Sequence, residues 1–509
     1  MTVAPPDRSL VRLLAGWLPR QRWFGGKDAP IDDLSVGTAT ELRSGDPALH
    51  HLVLGVRQNG TTDHYQILLG VRRDLPERLL PALIGRLAPG EGALADGTAG
   101  HVYDAVHDPE LTGLLLTSMA ENAEVGPLRF RRAPGTGIRT GLEGVPIGAE
   151  QTNTSLIFGD RYLCKLFRRL SPGVNPDLEI NLALSRVGCL HVPAVHGWIE
   201  LAPGGAGDLV GDGALDHAGK GGADTESAGT EDAGEEPLTL ALLSQFLRSA
   251  TDGWQLALTS VRDWFAQPAP PGTGPPPVFT ADDAAAAGGD FGAEAERLGA
   301  ATAQVHRDLA AAFGVTRAPA QAVRDSVFAM HRQLDQVTAA VPQIRPHARA
   351  IRAVFDEVAA QASALPVQRV HGDYHLGQVL RTDTGWVLLD FEGEPARTPA
   401  ERRALAHPLR DVAGMLRSFE YAARFLIARD GELPEATEAL EARARAWAQR
   451  NREAFCAGYA AAGGPDPAEH AALVRAFEFD KAVYEIRYEA RNRPSWLPVP
   501  LRSLAHLAG

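Results

Sequence analysis

Strand-length apolar runs fill the first part of this chain, and helical periodicity fills the last. His50-His-Leu-Val-Leu-Gly-Val56 and His64-Tyr-Gln-Ile-Leu-Leu-Gly-Val71 are short segments set among turn residues, which predicts a small β-rich subdomain over residues 1–95. Ser155-Leu-Ile-Phe158, the turn pair Gly159-Asp160 and the run Arg161-Tyr-Leu-Cys-Lys-Leu-Phe-Arg168 predict two adjacent strands joined tightly. Asn175-Pro176-Asp177-Leu178-Glu179 then opens a helix. Asn is a good N-cap, and Pro suits the first helical position. Leu238–Phe246 resumes as an apolar strand, expected to connect two lobes. From Phe291 the period becomes helical, with Leu298, Val305 and Leu309 on one face. Arg402 to the C-terminus is helix-dominated. The expected class is α+β, β-rich first and helical last.

Two stretches break the pattern. Residues 204–236 are rich in Gly, Asp and Glu with almost no large apolar side chains, so a disordered acidic insert is expected there. Residues 268–289 form a second Pro/Ala/Gly-rich loop. The expected organisation is a cap over 1–95, a first lobe over 96–237 including the insert, and a helical lobe over 238–509.

With 509 residues and 45% apolar content, the chain is long enough for sizeable cores. A net charge of −13 with no basic, aromatic-interleaved stripe argues against nucleic acid as a partner. Cys164, Cys189 and Cys456 are scattered and odd in number, which argues against disulfides and zinc and for a reducing cytoplasm. Ser9–Leu18 is interrupted by Arg12 and is too short and polar for a signal peptide, and no run approaches membrane-spanning length. Only four of the 50 basic residues are lysines: Lys27, Lys165, Lys220 and Lys481. Where arginine is the default cation, a lysine in an ordered segment draws attention to its amine.

The chemistry concentrates in His371-Gly-Asp-Tyr-His-Leu-Gly-Gln378 and Asp390-Phe-Glu392. An acid, an amide five residues on and a second acid twelve beyond form the phosphoryl-transfer layout of protein-kinase-like folds. A bilobal kinase-like fold is therefore expected, with ATP and Mg²⁺ as cofactors. In that layout Asp373 takes the acceptor proton. Gln378 and Asp390 hold the metal, with Glu392 as a further metal contact. Val370 before the loop and Trp386-Val-Leu-Leu389 after it place both acids at strand ends. Lys165, on the second predicted strand, is the phosphate-binding amine, and Glu179 on the next helix is placed to hold it. No glycine-rich phosphate loop exists; Glu150-Gln-Thr-Asn-Thr-Ser155 stands in its position, making Thr154 and Ser155 nucleotide candidates. His375 supports the loop on its acceptor side. Asp411, opening a helix after the metal strand, is expected to brace the catalytic loop through its backbone.

The segment Phe477–Arg491 is a helix richer in polar aromatics than a core requires. Lys481, Tyr484, Tyr488 and Arg491 share one face at i, i+3, i+7 and i+10, followed by Trp496. Aromatic faces beside fixed donors suit the apolar C–H face and hydroxyl rim of a sugar.

Taken together, Arg20-Gln-Arg-Trp-Phe24, Gln151–Ser155, Asn175–Glu179, His371–Gln378, Asp390-Phe-Glu-Gly-Glu-Pro395, Arg410–Gly414 and Asp480–Pro500 resemble the actinobacterial maltokinases over nearly the whole chain. This family is akin to aminoglycoside phosphotransferases and protein kinases. The resemblance implies transfer of the ATP γ-phosphate to the anomeric hydroxyl of maltose for α-glucan synthesis, and disaccharide contacts at Lys481, Tyr484, Tyr488 and Trp496. It also implies trehalose synthase as a partner. Glucosamine or another saccharide as acceptor, and a non-catalytic scaffold, are the alternatives. An aminoglycoside acceptor would need an acid-lined site, which Lys481 and Arg491 argue against.

Overall fold

A computed structural model describes residues 8–87, 100–148, 152–203, 237–267, 279–286, 289–394, 397–430 and 434–508. The acidic insert at 204–236, residues 268–278 of the second loop and Glu150-Gln151 lie outside the described residues. The chain forms two compact units, Met1–Glu179 with Ala194–Arg248, and Ile180–Pro193 with Ser249–Gly509.

The first unit carries two antiparallel sheets. One runs in the order Asp33–Arg43, Ala48–Gln58, Thr61–Arg72, Gly100–Asp104, Leu83–Leu87, and Arg169–Leu170 also pairs with Thr61–Arg72. Strand periodicity splits its central side chains between two cores. Leu52, Leu54, Val56, Ile67 and Leu69 pack with Leu10, Leu14 and Trp17 of the helix Arg8–Trp17. Leu49, Val53 and Leu68 face the other way, into a core that includes Phe130, Leu156 and Phe158. Those last residues belong to the second sheet. The cap therefore shares its core with that sheet.

The second sheet runs Glu124–Val125, Leu128–Arg132, Val195–Leu201, Leu238–Gln245, Tyr162–Leu166, Thr154–Phe158, Gly144–Ile147. The predicted hairpin forms at Thr154–Phe158 and Tyr162–Leu166, with Gly159 at φ 59° in its turn. Tyr162, Cys164 and Leu166 are buried, while Leu163 and Lys165 lie half-buried on the opposite face. Leu238–Gln245 is a central strand, paired on both sides. Both of its hydrogen-bonding edges are used inside this sheet, so the first unit continues through it to Arg248.

The second unit is helical around a short hairpin, Val379–Thr382 with Gly385–Leu388. Trp386 and Leu388 of that hairpin share a core with Leu298, Val305 and Leu309 of the helix Gly292–Phe313, and with the helices Leu409–Asp430 and Pro434–Ala461. A second core joins Ala320–Ala340, Ala348–Ala360, Ala471–Asn492 and Pro498–Ala508. The helix Ala471–Asn492 thus presents one side to a core and leaves Lys481, Tyr484 and Tyr488 at least partly exposed. Among the described residues, no helix is long and apolar enough to cross a membrane.

Candidate active site

The loop that carries Asp373 is held from below by backbone hydrogen bonds. The Asp411 carboxylate accepts from the backbone N–H of His371 at 2.7 Å and of Gly372 at 2.9 Å. Asp411 is buried; burial raises its carboxyl, but His306 and the loop's N–H groups outweigh that and hold it down. His306 Nε2 lies 3.1 Å from Asp411 Oδ2, and its Nδ1 lies 2.8 Å from the Tyr459 hydroxyl. Gly414, one turn into the same helix, has no room for a side chain: a Cβ there would meet Tyr374 O at 2.6 Å. The bracing role expected of Asp411 is what the geometry shows.

His371 links this loop to the next. Its Nε2 lies 2.8 Å from Leu389 O, and its Nδ1 accepts from the Asp373 N–H at 3.4 Å. The residue after Leu389 is Asp390, with φ of 64°. A left-handed aspartate costs about 1–2 kcal/mol, and such conformations cluster where function over-determines the backbone. Gln378 Nε2 donates to Asp390 Oδ2 at 3.0 Å, so the predicted amide and acid meet directly. Glu392 lies two residues on and is half-buried. His375 caps the short helix Leu376–Gln378, its Nδ1 accepting from Gly377 N at 3.1 Å. Burial pushes the His375 imidazole pKa down.

Lys481 sits against Asp373. Its Nζ donates to Asp373 Oδ1 at 2.9 Å and to Glu394 Oε1 at 2.6 Å. Sequence reading placed Lys481 on a sugar-facing helix surface, and missed that its amine grips the proposed base. Among the described residues, no donor reaches Asp373 Oδ2, so the carboxylate is fixed by one oxygen and presents the other. Glu394 is itself held by Arg397 Nε at 2.6 Å. Burial alone would raise the Glu394 carboxyl, but Lys481 and Arg397 outweigh it and hold its pKa at about 2.

That depression has a measurable consequence. A carboxyl whose folded pKa lies below its ordinary 4.5 binds fewer protons folded than unfolded. Its contribution is complete above the ordinary value and is lost as pH falls from about 5 toward 2. Glu394→Gln should therefore flatten the acid side of a plot of melting temperature against pH. An unchanged acid slope would contradict the ion-paired assignment.

From Lys481 a row of aromatic groups runs outward. The ammonium lies 5.1 Å from the Tyr484 ring centroid, and Tyr484 stacks on Tyr488 at 6.4 Å and 24°. The Arg493 guanidinium lies over Tyr488 at 5.5 Å and over Trp496 at 5.9 Å. Trp496 meets Phe425 at 4.8 Å, and Phe425 meets Trp254 at 5.3 Å. Tyr488 is 39% exposed, and the other four rings, Tyr484 on the same helix and Trp496, Phe425 and Trp254 from other segments, are half-buried. Arg491 is exposed at the helix end. Phe425 and Trp254 were not singled out from sequence; no local motif marks them.

In the first unit, Lys165 Nζ lies 3.3 Å from Asp177 Oδ2. Asp177 lies on the same first helical turn as Glu179, and no local signal singles it out in the sequence. Asn175 caps that turn, accepting from Asp177 N at 2.8 Å. Thr154 and Ser155 begin a strand. Ser155 is enclosed at 0% exposure, opposite Lys165, and Thr154 Oγ1 accepts from Arg168 Nε at 2.8 Å. Burial pushes the Cys164 and Cys189 thiols up to about 12 and Cys456 to about 11, so none is poised as a nucleophile.

The maltokinase N-terminal cap domain matches residues 17–108, and the phosphotransferase enzyme family matches residues 278–473. A glucosamine kinase of Streptacidiphilus jiangxiensis is 29% identical over 381 residues, spanning 72% of this chain and 74% of that one. A glucosamine kinase of Mycolicibacterium smegmatis is 28% identical over 377 residues, spanning 71% and 79%. A solved glucosamine kinase in complex with glucosamine, ADP and inorganic phosphate aligns at a TM-score of 0.62 and 23% identity, covering 99% of this chain and 100% of that one. A second crystal form of a glucosamine kinase gives 0.64 at 24% identity, covering 98% and 99%. These alignments establish the fold. The phosphotransferase match contains Asp373, Gln378, Asp390 and Asp411, the groups whose geometry is described above. Residues 278–473 thus form a domain of the phosphotransferase enzyme family, and residues 17–108 a maltokinase N-terminal cap domain.

Proposed function

We propose that this sugar kinase is a maltokinase, moving the γ-phosphoryl group of ATP to the anomeric hydroxyl of maltose and releasing maltose 1-phosphate and ADP for α-glucan and glycogen synthesis. The observation that carries the reading is Asp373 held through Oδ1 by Lys481 at 2.9 Å, at the head of the row Tyr484, Tyr488, Trp496. The anomeric hydroxyl is the most acidic on a reducing sugar, so a carboxylate is base enough for it. Asp373 orients that hydroxyl and accepts its proton at Oδ2, while Lys481 keeps the carboxylate from rotating. The aromatic row supplies stacking faces for the second glucosyl ring. His375, Lys481 and Arg491 frame the acceptor side.

The donor set Gln378, Asp390 and Glu392 offers hard oxygens, which suits Mg²⁺, and Gln378 lies beside Asp390, its amide Nε2 donating to Oδ2 at 3.0 Å. A Mg²⁺ held there would neutralise phosphate charge. Lys165, steadied by Asp177 and the helix that carries Glu179, offers a second positive charge to the phosphates. Thr154 and Ser155 are the candidate nucleotide contacts. Three free thiols, Cys164 buried and Cys189 and Cys456 half-buried, fit a cytoplasmic enzyme. Trehalose synthase as a partner is supported by the family resemblance alone.

Glucosamine is the second reading, favoured by the two relatives named above. An amino sugar needs a carboxylate for its ammonium. Here Glu485 is paired with Arg417 at 2.6 Å, Glu489 with Arg493 at 2.6 Å, and Glu394 with Lys481 and Arg397. Neutralised acids favour a neutral sugar.

ADP release with maltose, glucosamine, trehalose and an aminoglycoside tests the choice. Maltose should give the highest kcat/KM, and trehalose, with both anomeric positions locked, none. Tyr488→Ala or Trp496→Ala removes roughly 1–3 kcal/mol of stacking surface, so maltose KM should rise about 5- to 100-fold with ATP KM little changed. A higher kcat/KM for glucosamine would replace the maltose reading. No ADP with any sugar would favour a scaffold.

A further inference from the structure

Arg168 is 1% exposed and lies three residues after Lys165. Its guanidinium carbon sits 4.8 Å from the Trp23 ring centroid, its Nη2 donates to Asp104 Oδ2 at 2.7 Å, and its Nε donates to Thr154 Oγ1 at 2.8 Å. Trp23 and Asp104 both belong to residues 17–108, the cap. Thr154 opens the hairpin whose second strand carries Lys165. One buried cation therefore ties the cap to the start of the candidate nucleotide hairpin.

The backbone around Arg168 is held by the cap as well. Gln66 N donates to Arg168 O at 2.9 Å, and Gln66 Nε2 donates to Phe167 O at 2.9 Å and to Leu240 O at 2.5 Å. His51 Nε2 fixes the Gln66 amide at 3.0 Å, and Arg169 and Leu170 pair with the cap strand at Tyr65 and His64. The chain between Lys165 and the helix bearing Asp177 thus runs as an added strand of the cap sheet. A buried guanidinium is tolerated only when charge-paired and hydrogen-bonded, and here one of its bonds goes to a hydroxyl. That bond occupies a lone pair of Thr154 Oγ1. The hydroxyl's own proton then points away from the cation, toward whatever acceptor the hairpin meets.

We propose that Arg168 is a positioning residue through which the cap sets the Thr154 hydroxyl for a nucleotide phosphate, so that the cap tunes ATP affinity and leaves sugar affinity alone. This rests on Thr154 as a phosphate contact, which the test isolates.

In the full chain, ATP and maltose dissociation constants are measured by titration calorimetry for Thr154→Val, Arg168→Lys, Asp104→Asn and the Thr154→Val/Arg168→Lys double variant, with melting temperatures alongside. Arg168→Lys keeps the charge near Asp104 and loses the bond to Thr154. It should weaken ATP about 10-fold, and Thr154→Val should do the same. The double variant should be no worse than the weaker single, because the second change removes nothing that remains. Maltose affinity should not move in any of them. Asp104→Asn, which loosens the guanidinium without removing it, should weaken ATP by a smaller factor and covers the case in which Arg168→Lys fails to fold. A folded Arg168→Lys or Asp104→Asn with unchanged ATP affinity, or effects that multiply in the double variant, overturns the proposal. Thr154→Val with unchanged ATP affinity overturns the reading of Thr154, and the proposal with it.

Discussion

Asp373→Asn is expected to lower kcat by about 10²- to 10⁴-fold, the usual worth of a general base, with ATP KM and melting temperature nearly unchanged. The asparagine keeps the shape, and its oxygen still accepts from Lys481 Nζ, now 2.9 Å from Oδ1. Lys481 also retains Glu394 at 2.6 Å, so its charge is not stranded. What disappears is the proton acceptor at the second position. A variant that keeps near-normal kcat would remove Asp373 from the chemistry.

Lys481→Met is expected to damage both stability and turnover. The ammonium is shared by two carboxylates, of which Glu394 is only 4% exposed at its side chain and Asp373 19%. Removing one partner of a buried ion pair costs about 3–5 kcal/mol. Arg397 still holds Glu394 at 2.6 Å, which puts the expectation near the lower end, about 3 kcal/mol. Chemical denaturation should show this as a lower midpoint with an unchanged slope. Adding Glu394→Gln should restore little of the stability, because Arg397 then loses its own carboxylate partner and Asp373 still lacks Lys481. Turnover should stay low, because Asp373 Oδ1 is still unheld. A single Lys481→Met variant of normal stability, or a double variant with normal kcat, would contradict the bridging role.

The parts of this site that were legible in the sequence are those set by local spacing. His371–Gln378 and Asp390 were legible because a strand–loop–strand segment fixes where an acid, an amide and a second acid fall. Asp411 was legible as a helix-opening acid after that segment. The helix face of Lys481, Tyr484 and Tyr488 followed from the 3.6-residue period, and the cap followed from alternating runs such as His64–Val71. What was not legible depends on contacts distant in sequence or on rotation of an element about its own axis. The ion pair of Asp177 with Lys165 depends on how its helix is rotated about its own axis, at about 100° per residue, which a cap signal alone does not fix. Lys481 meets Asp373 across 108 positions, and nothing near either residue announces the other. Glu394 lay inside a quoted motif without a role, because its partner is that same distant lysine. Phe425 and Trp254 join the aromatic row only after three separate helical segments are brought together. Arg168 reads as one more basic residue after a strand until the cap folds over it.

The measurement closest to the central claim compares two quantities in one reaction: ADP formed, and reducing ends lost, when the enzyme is given ATP, Mg²⁺ and maltose. Phosphorylation at the anomeric hydroxyl consumes the reducing end, so the account predicts one reducing end lost for each ADP formed, with both falling together in Asp373→Asn. ADP formed while the reducing ends survive would mean that a different hydroxyl takes the phosphate, and would contradict the proposed reaction.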